Sequence, residues 1–114
     1  MTDPLIQKRL QLFPVSARIV RDGVGSNLTI ADCDLFQVAQ EFGTPLYLYD
    51  YDTLEDTLHQ YRQALKLHYP SQSGITYAGK AYLCTAIAQW AKQEKLLLDC
   101  TGANELHIAS HAGL

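Results

Sequence analysis

The chain has 114 residues, enough for one small domain with a modest core. Its composition, 47% hydrophobic and 18% charged, is that of an ordinary globular protein, and a net charge of −3 leaves no basic footprint for nucleic acid. No apolar run approaches the roughly 20 residues that cross a bilayer, and "MTDPLIQKRLQLF" lacks the charged-then-apolar order of a secretory leader, so the expectation is a cytoplasmic chain without a membrane partner.

The first third reads as irregular. Within it, Asp22-Gly23 and Gly25-Ser26 separate two short β-type runs, Arg18 to Arg21 and Leu28 to Ile30, which predicts a hairpin or an offset strand pair. Asp32 is then placed to cap a short helix running through Phe42, because Leu35, Val38, Ala39 and Phe42 fall at helical spacing. Gly43 is its expected stop. After it comes "PLYLYD" (45–50), a nearly continuous apolar and aromatic run that suits a strand covered on both faces.

Asp52 and Glu55 form a D-x-x-E variant of the capping box and predict a helix whose apolar face is Leu54, Leu58, Tyr61 and Leu65, ended by Pro70 and "SQSG". "ITYAG" (75–79) predicts the next strand. A helix with Leu83, Ile87, Trp90 and Ala91 on one side follows, then a strand at "LLLDC" (96–100) and a helix over 104–113 that stops at Gly113.

Residues 45 to 114 therefore spell β-α-β-α-β-α, and helical crossovers between strands mean parallel neighbours. The doubly wound sheet and the (β/α)8 barrel both use this unit. Neither G-x-G-x-x-G nor G-x-x-x-x-G-K-[ST] is present to support a nucleotide-binding sheet. A closed barrel takes eight strands and roughly 250 residues, so the α/β fold expected here is a partial (β/α)8 barrel of about three βα units.

Both architectures do their chemistry at the C-terminal ends of the strands. Asp50, Lys80 and Asp99 fall there, one after each expected strand. Polar residues also end strands simply by meeting water, so Lys80 reads either as a solvated surface lysine or as a functional amine, and Asp50 either as a site residue or as a cap. A lysine desolvated at a barrel mouth loses proton affinity and forms a Schiff base with an aldehyde. Its small neighbours Gly79 and Ala81 leave room for a flat aromatic aldehyde such as pyridoxal phosphate.

"GTPLYLYD" (43–50), "YAGKA" (77–81) and "LDCTGANELHIASHAGL" (98–114) occur in the order and spacing of three landmarks of the fold-type III pyridoxal-phosphate decarboxylases. Members typically show G-T-P-L-Y-V-Y-D, then Y-A-x-K-A, then D-V-x-S-x-G-E-L. The chain resembles that family over roughly residues 13 to 114, and "GTPLYLYD" is most similar to its diaminopimelate branch. The resemblance implies a pre-barrel segment over 1–42, with a β pair and a short helix. It implies the first three βα units of a pyridoxal 5'-phosphate-binding barrel over 43–114, truncated within the barrel. The implied activity is decarboxylation of meso-2,6-diaminopimelate to L-lysine by a homodimer. The alternatives are decarboxylation of ornithine, arginine or carboxynorspermidine, or a catalytically inert fragment acting as an interaction module.

Residue by residue, the resemblance makes Lys80 the catalytic, cofactor-bearing lysine, Ala78 a small residue lining the cofactor pocket, and Asp99 and Glu105 polar residues shaping it. Tyr82, Gly102 and Asn104 depart from the family pattern, where Asn, Ser and Gly are usual. The family's ring-stacking histidine, glycine-rich phosphate loop, arginine and glutamate contacts and partner-subunit cysteine are expected beyond Leu114.

The remaining candidates have plainer readings. Cys33, Cys84 and Cys100 are odd in number, with no C-x-x-C pair, and read as reduced, mostly buried thiols. His107 and His111 are four apart but form no H-E-x-x-H, so they read as surface or hydrogen-bonded helix residues. His59 and His68 fall on an exposed helix flank, Tyr47, Tyr49 and Tyr51 read as packing, and Trp90 as a core anchor.

Overall fold

The computed structural model describes residues 4–21, 23, 25–69 and 71–114. Its contacts divide the chain into two compact units, Met1–His68 and Tyr69–Leu114. The described residues form a mixed α/β structure with five α-helices, a three-stranded sheet and a two-stranded sheet; neither sheet closes into a barrel.

The first unit begins with α1 (Pro4–Leu10), a helix within the stretch expected to be irregular. Proline is well tolerated in a first helical turn, where its missing N–H has no partner to lose. The following residues, Ile6, Gln7, Lys8, Arg9 and Leu10, include good helix formers. β1 (Arg18–Arg21) and β2 (Ser26–Ile30) pair antiparallel, from Arg18 opposite Thr29 to Arg21 opposite Ser26, as the hairpin reading required. Of the turn residues between them, Asp22 lies outside the described residues.

The cap of the next helix is a correction. β2 continues into a second antiparallel partner, β3 (Cys33–Asp34), with Ile30 opposite Cys33. The two residues between them, Ala31 and Asp32, have φ of 49° and 61°, the positive values of a tight two-residue hairpin turn. Asp32 is thus occupied by the turn. Asp34 caps α2 (Leu35–Phe42) instead, its carboxylate accepting from the amides of Phe36 (2.8 Å) and Gln37 (3.2 Å). Gly43 ends the helix as expected, its amide donating to the Ala39 carbonyl.

The segment 45–50 forms no strand, contrary to the sequence reading. Tyr47 is 90% exposed, and Leu46, Leu48, Tyr49 and Tyr51 are exposed as well, so the tyrosines do not pack as expected. An apolar run becomes a strand only when a neighbour accepts its backbone hydrogen bonds, and neither β1, β2 nor β3 of this unit's sheet pairs with 45–50. α3 (Tyr51–His68) follows; it starts two residues earlier than a helix capped by Asp52 would, and Leu58 is its buried residue. Pro70, expected to end it, lies outside the described residues.

The second unit follows the sequence reading closely. β4 (Thr76–Ala78) and β5 (Leu97–Asp99) run parallel, with Tyr77 opposite Leu98 and Ala78 opposite Asp99. Between them α4 (Thr85–Gln93) buries Ile87, Ala88, Trp90 and Ala91, and α5 (Ala103–His111) packs on it, burying Ala109. Full burial of Ala88 and Ala91 is what small side chains at a helix contact permit. Leu83, expected on the α4 face, precedes the helix and is half-buried.

Both helices end in the same way. After α4 the amides of Lys95 and Leu96 donate to the carbonyls of Lys92 and Ala91, and after α5 those of Gly113 and Leu114 donate to Ser110 and Ala109. This is the Schellman arrangement, which requires positive φ at its pivot. Gly113 supplies that at 81° without strain, whereas Lys95 adopts 56° with a full side chain.

Candidate active site

All four residues singled out by the resemblance, Lys80, Ala78, Asp99 and Glu105, gather at the C-terminal edge of the β4–β5 pair. Ala78 is the last residue of β4 and the register partner of Asp99, the last residue of β5. Directly after Ala78 the chain makes a 3₁₀ turn, Gly79–Ala81, with Lys80 exposed at its centre. Parallel pairing puts both strand ends on one edge, so this grouping follows from the topology. Asp50 belongs to the other unit.

The turn is closely seated. Gly79 is buried, and a Cβ added there would stand 2.8 Å from the Asp99 carbonyl oxygen and 3.4 Å from both Glu105 Oε2 and Leu83 Cδ2. The smallness of Gly79 therefore lets the turn lie against the end of β5, and does not open space for a flat ring as the sequence had suggested. Any side chain there would push the Lys80 turn off the strand it leans on.

Glu105 is fixed by its own helix. It lies in the first turn of α5, and its Oε2 accepts from the Thr101 amide at 2.6 Å, with the Thr101 hydroxyl at 3.2 Å. A carboxylate here complements the exposed amides and positive dipole end of the helix. Its oxygen thereby becomes a stationary negative charge beside the Lys80 turn. The Asp99 side chain is exposed, and its contribution to the seat of the turn comes from its backbone carbonyl.

Sequence reasoning passed over Tyr77. Its hydroxyl donates to the Tyr82 carbonyl at 2.7 Å, and its ring meets buried Trp90 edge-on, with centroids 6.1 Å apart and planes at 86°. The available signal was its place in "YAGKAY", where two tyrosines bracket the turn.

Asp50 turns out to be a cap. It is buried, and its Oδ2 accepts from the Thr53 amide (3.1 Å) and hydroxyl (2.5 Å), three residues into α3. The Thr53 hydroxyl in turn accepts from the Val15 amide at 2.9 Å. Burial pushes the Asp50 carboxyl up, but the Thr53 hydrogen bonds and polar contributions from Ser16 outweigh it, so the group titrates below the ordinary aspartate value. Its Oδ1 is buried without a well-directed hydrogen bond among the described residues.

The other candidates stay apart from this edge. His59, His68, His107 and His111 are exposed, and the described residues contain no cluster of three potential metal ligands. All three cysteines are free. Cys33 is exposed and Cys84 and Cys100 half-buried, so the expectation of mostly buried thiols does not hold. No helix of the described residues is long and apolar enough to cross a membrane.

No family model matches the chain. Individual proteins do. Diaminopimelate decarboxylase of Synechocystis sp. is 39% identical over 95 residues, which is 83% of this chain and 20% of that protein. The chain is related to the diaminopimelate decarboxylases. The enzyme of that name from Mycobacterium tuberculosis is 42% identical over 93 residues, 81% of this chain and 20% of its own length. That of Mycobacterium leprae is 34% identical over 111 residues, 97% of this chain and 22% of its own. The chain thus spans about a fifth of the length of the diaminopimelate decarboxylases it matches.

Proposed function

We propose that this chain is the lysine-bearing segment of a pyridoxal 5'-phosphate-dependent decarboxylase that converts meso-2,6-diaminopimelate to L-lysine. The observation that carries the reading is Lys80, on a turn at the C-terminal edge of a parallel strand pair, in a chain 39% identical to a diaminopimelate decarboxylase across most of its length. That edge is where (β/α)8 enzymes do their chemistry.

The residues present fit the cofactor: an exposed primary amine on a seated turn, a small side chain at Ala78, and the carboxylate of Asp99 at the end of the next strand. Lys80 would hold the cofactor aldehyde through Nζ, and Ala78 and Asp99, paired across the strand ends, would border it. When bound, the cofactor supplies an electron sink for the pair released as the Cα–carboxylate bond breaks. The chain's own work is positional. The approach of Gly79 to the Asp99 carbonyl keeps Lys80 at the mouth, and Glu105, tied to Thr101, sets a fixed negative charge beside the turn that suits an amino-acid substrate carrying ammonium groups.

Residues 43–114 belong, in this reading, to the first three βα units of the barrel, with 45–50 becoming a strand once it has a neighbour. The homodimer and the cytoplasmic setting belong to the same proposal. The test is to treat the full-length gene product with pyridoxal 5'-phosphate, reduce it with borohydride and map the adduct by mass spectrometry. Lys80 is expected to carry it, and Lys80→Ala to lose both adduct and carbon dioxide release from diaminopimelate. An adduct confined to other lysines would overturn the assignment.

One observation favours a second reading for the 114-residue chain by itself. In the second unit Leu97 and Leu106 are 65% and 60% exposed, large apolar side chains left in water, and Lys80 beside them is exposed as well. By itself the chain is then inert, and the same trapping experiment on it gives no Lys80 adduct.

A further inference from the structure

Resting on that reading of Lys80, we infer that Tyr77 is a positioning residue, whose hydroxyl pins the turn that presents the lysine. The turn has two ends to hold. Its entering end is fixed by the pairing of Ala78 with Asp99 and by the seat of Gly79 on the Asp99 carbonyl. Its leaving end is Tyr82, in extended backbone with φ of −175° and ψ of 130°, a conformation that does not itself close a turn. The Tyr77 hydroxyl takes hold of the Tyr82 carbonyl at 2.7 Å, so a side chain from the strand before the turn anchors the residue after it.

The anchor is itself braced. Trp90 is 7% exposed in the core of α4 and meets the Tyr77 ring edge-on, which limits where the phenol can swing. A continuous set of contacts runs from the helix core through Trp90 and Tyr77 to the Tyr82 carbonyl, two residues beyond Lys80. The hydroxyl acts through the Tyr82 backbone carbonyl.

Tyr77→Phe keeps the ring and its contact with Trp90 and removes only the hydroxyl. In the full-length protein two quantities are read: amide hydrogen exchange in a peptide covering 79–84, and the yield of borohydride-trapped pyridoxal 5'-phosphate on Lys80. Loss of one hydrogen bond corresponds to about a tenfold change in an opening equilibrium. Exchange is therefore expected to rise by about tenfold, and the Lys80 adduct to fall several-fold at limiting cofactor. kcat is expected to fall more than KM for diaminopimelate rises.

Trp90→Phe, which keeps an aromatic brace, is expected to raise exchange less than Tyr77→Phe does. Unchanged exchange in Tyr77→Phe overturns the inference, as does faster exchange with an undiminished Lys80 adduct. If the unsubstituted protein forms no adduct on Lys80, the reading of the lysine fails and takes the positioning role with it. The exchange result would then still report whether the hydroxyl holds the turn.

Discussion

Residues 45–50 and residues 75–79 are the same kind of sequence, a short apolar and aromatic run between helix-forming stretches, and they reach different states. The second run becomes β4, because β5 lies across α4 in the same unit and the two ladders close in register. The first stays outside any strand, with Tyr47 at 90% exposure, and the β1-β2-β3 sheet of its unit pairs other residues and not these. Apolar patterning states a willingness to be covered. Whether a strand results depends on a backbone partner, and partners are a property of topology rather than of the run itself.

The sharpest way to break this contrast is to remove the covering helix from the run that succeeded. Trp90 is the large anchor of the second unit, 7% exposed among alanines that can close little of the gap it would leave. Trp90→Ala is expected to destabilise that unit by about 3–5 kcal/mol, the range for deleting a buried aromatic. A unit of this size has little reserve, so β4 and β5 should melt together. Hydrogen exchange at 76–78 and 97–99 would then rise toward the level at 45–50. Protection persisting at β4 alone would show that its ladder does not depend on α4.

Much of this was legible beforehand, for identifiable reasons. The β1–β2 pair, α4, α5 and the parallel relation of β4 to β5 rest on periodicity and connection length, which are local signals. The shift of the α2 cap from Asp32 to Asp34 was not legible, because it hinges on a two-residue turn at Ala31 and Asp32 that lacks the usual glycine. α1 was missed because its residues bury nothing, so no apolar stripe marks it. At the candidate site, Lys80 and Asp99 could be placed on one edge from strand order alone, whereas Ala78 came with the resemblance and Asp50, placed by the same signal, caps α3 in the other unit. Tyr77 and the tight seat of Gly79 depend on how the turn folds back, which no spacing encodes.

A second test concerns the residue that ends the unpaired run. Asp50 closes 45–50 by capping α3, so Asp50→Ala should cost about 1 kcal/mol and fray the first turn of that helix. The pH dependence has a definite sign. The folded group titrates below its ordinary value of 3.8, so its contribution is full above that value. It is lost as pH falls from there through the lower folded value. Helicity followed by circular dichroism in this acid range should fall in the unsubstituted chain and lose that component in Asp50→Ala. An identical acid profile in both would remove Asp50 from the account.

On the successful side, Lys95 sets the entrance to β5 at a positive φ of 56°, where Gly113 serves the equivalent helix end without a side chain to place. Lys95→Gly relieves the left-handed strain of a residue with a Cβ but adds freedom to the unfolded chain. The net gain expected is about 0.5–1 kcal/mol. A rise in Tm without a change in the ladder would mark the pivot as strained. A fall would mean that the lysine stem contributes packing there.

The smallest effect belongs to the run that failed. Tyr47→Ser in the 114-residue chain removes a side chain that is already 90% in water, so stability should move by less than about 0.5 kcal/mol. In a protein of the relatives' full length, the same substitution tests whether 45–50 has gained a neighbour. Truncating an aromatic that becomes covered on forming a strand costs about 3–5 kcal/mol, the range expected for Trp90→Ala. Denaturant titrations of the two lengths, each with and without the substitution, therefore measure the missing partner directly. Equal, near-zero costs in both would mean that the tyrosine stays exposed in the longer protein, and that 45–50 forms no covered strand there. A cost that appears only at full length would show that one sequence signal produced two states because only β4 had its partner at hand.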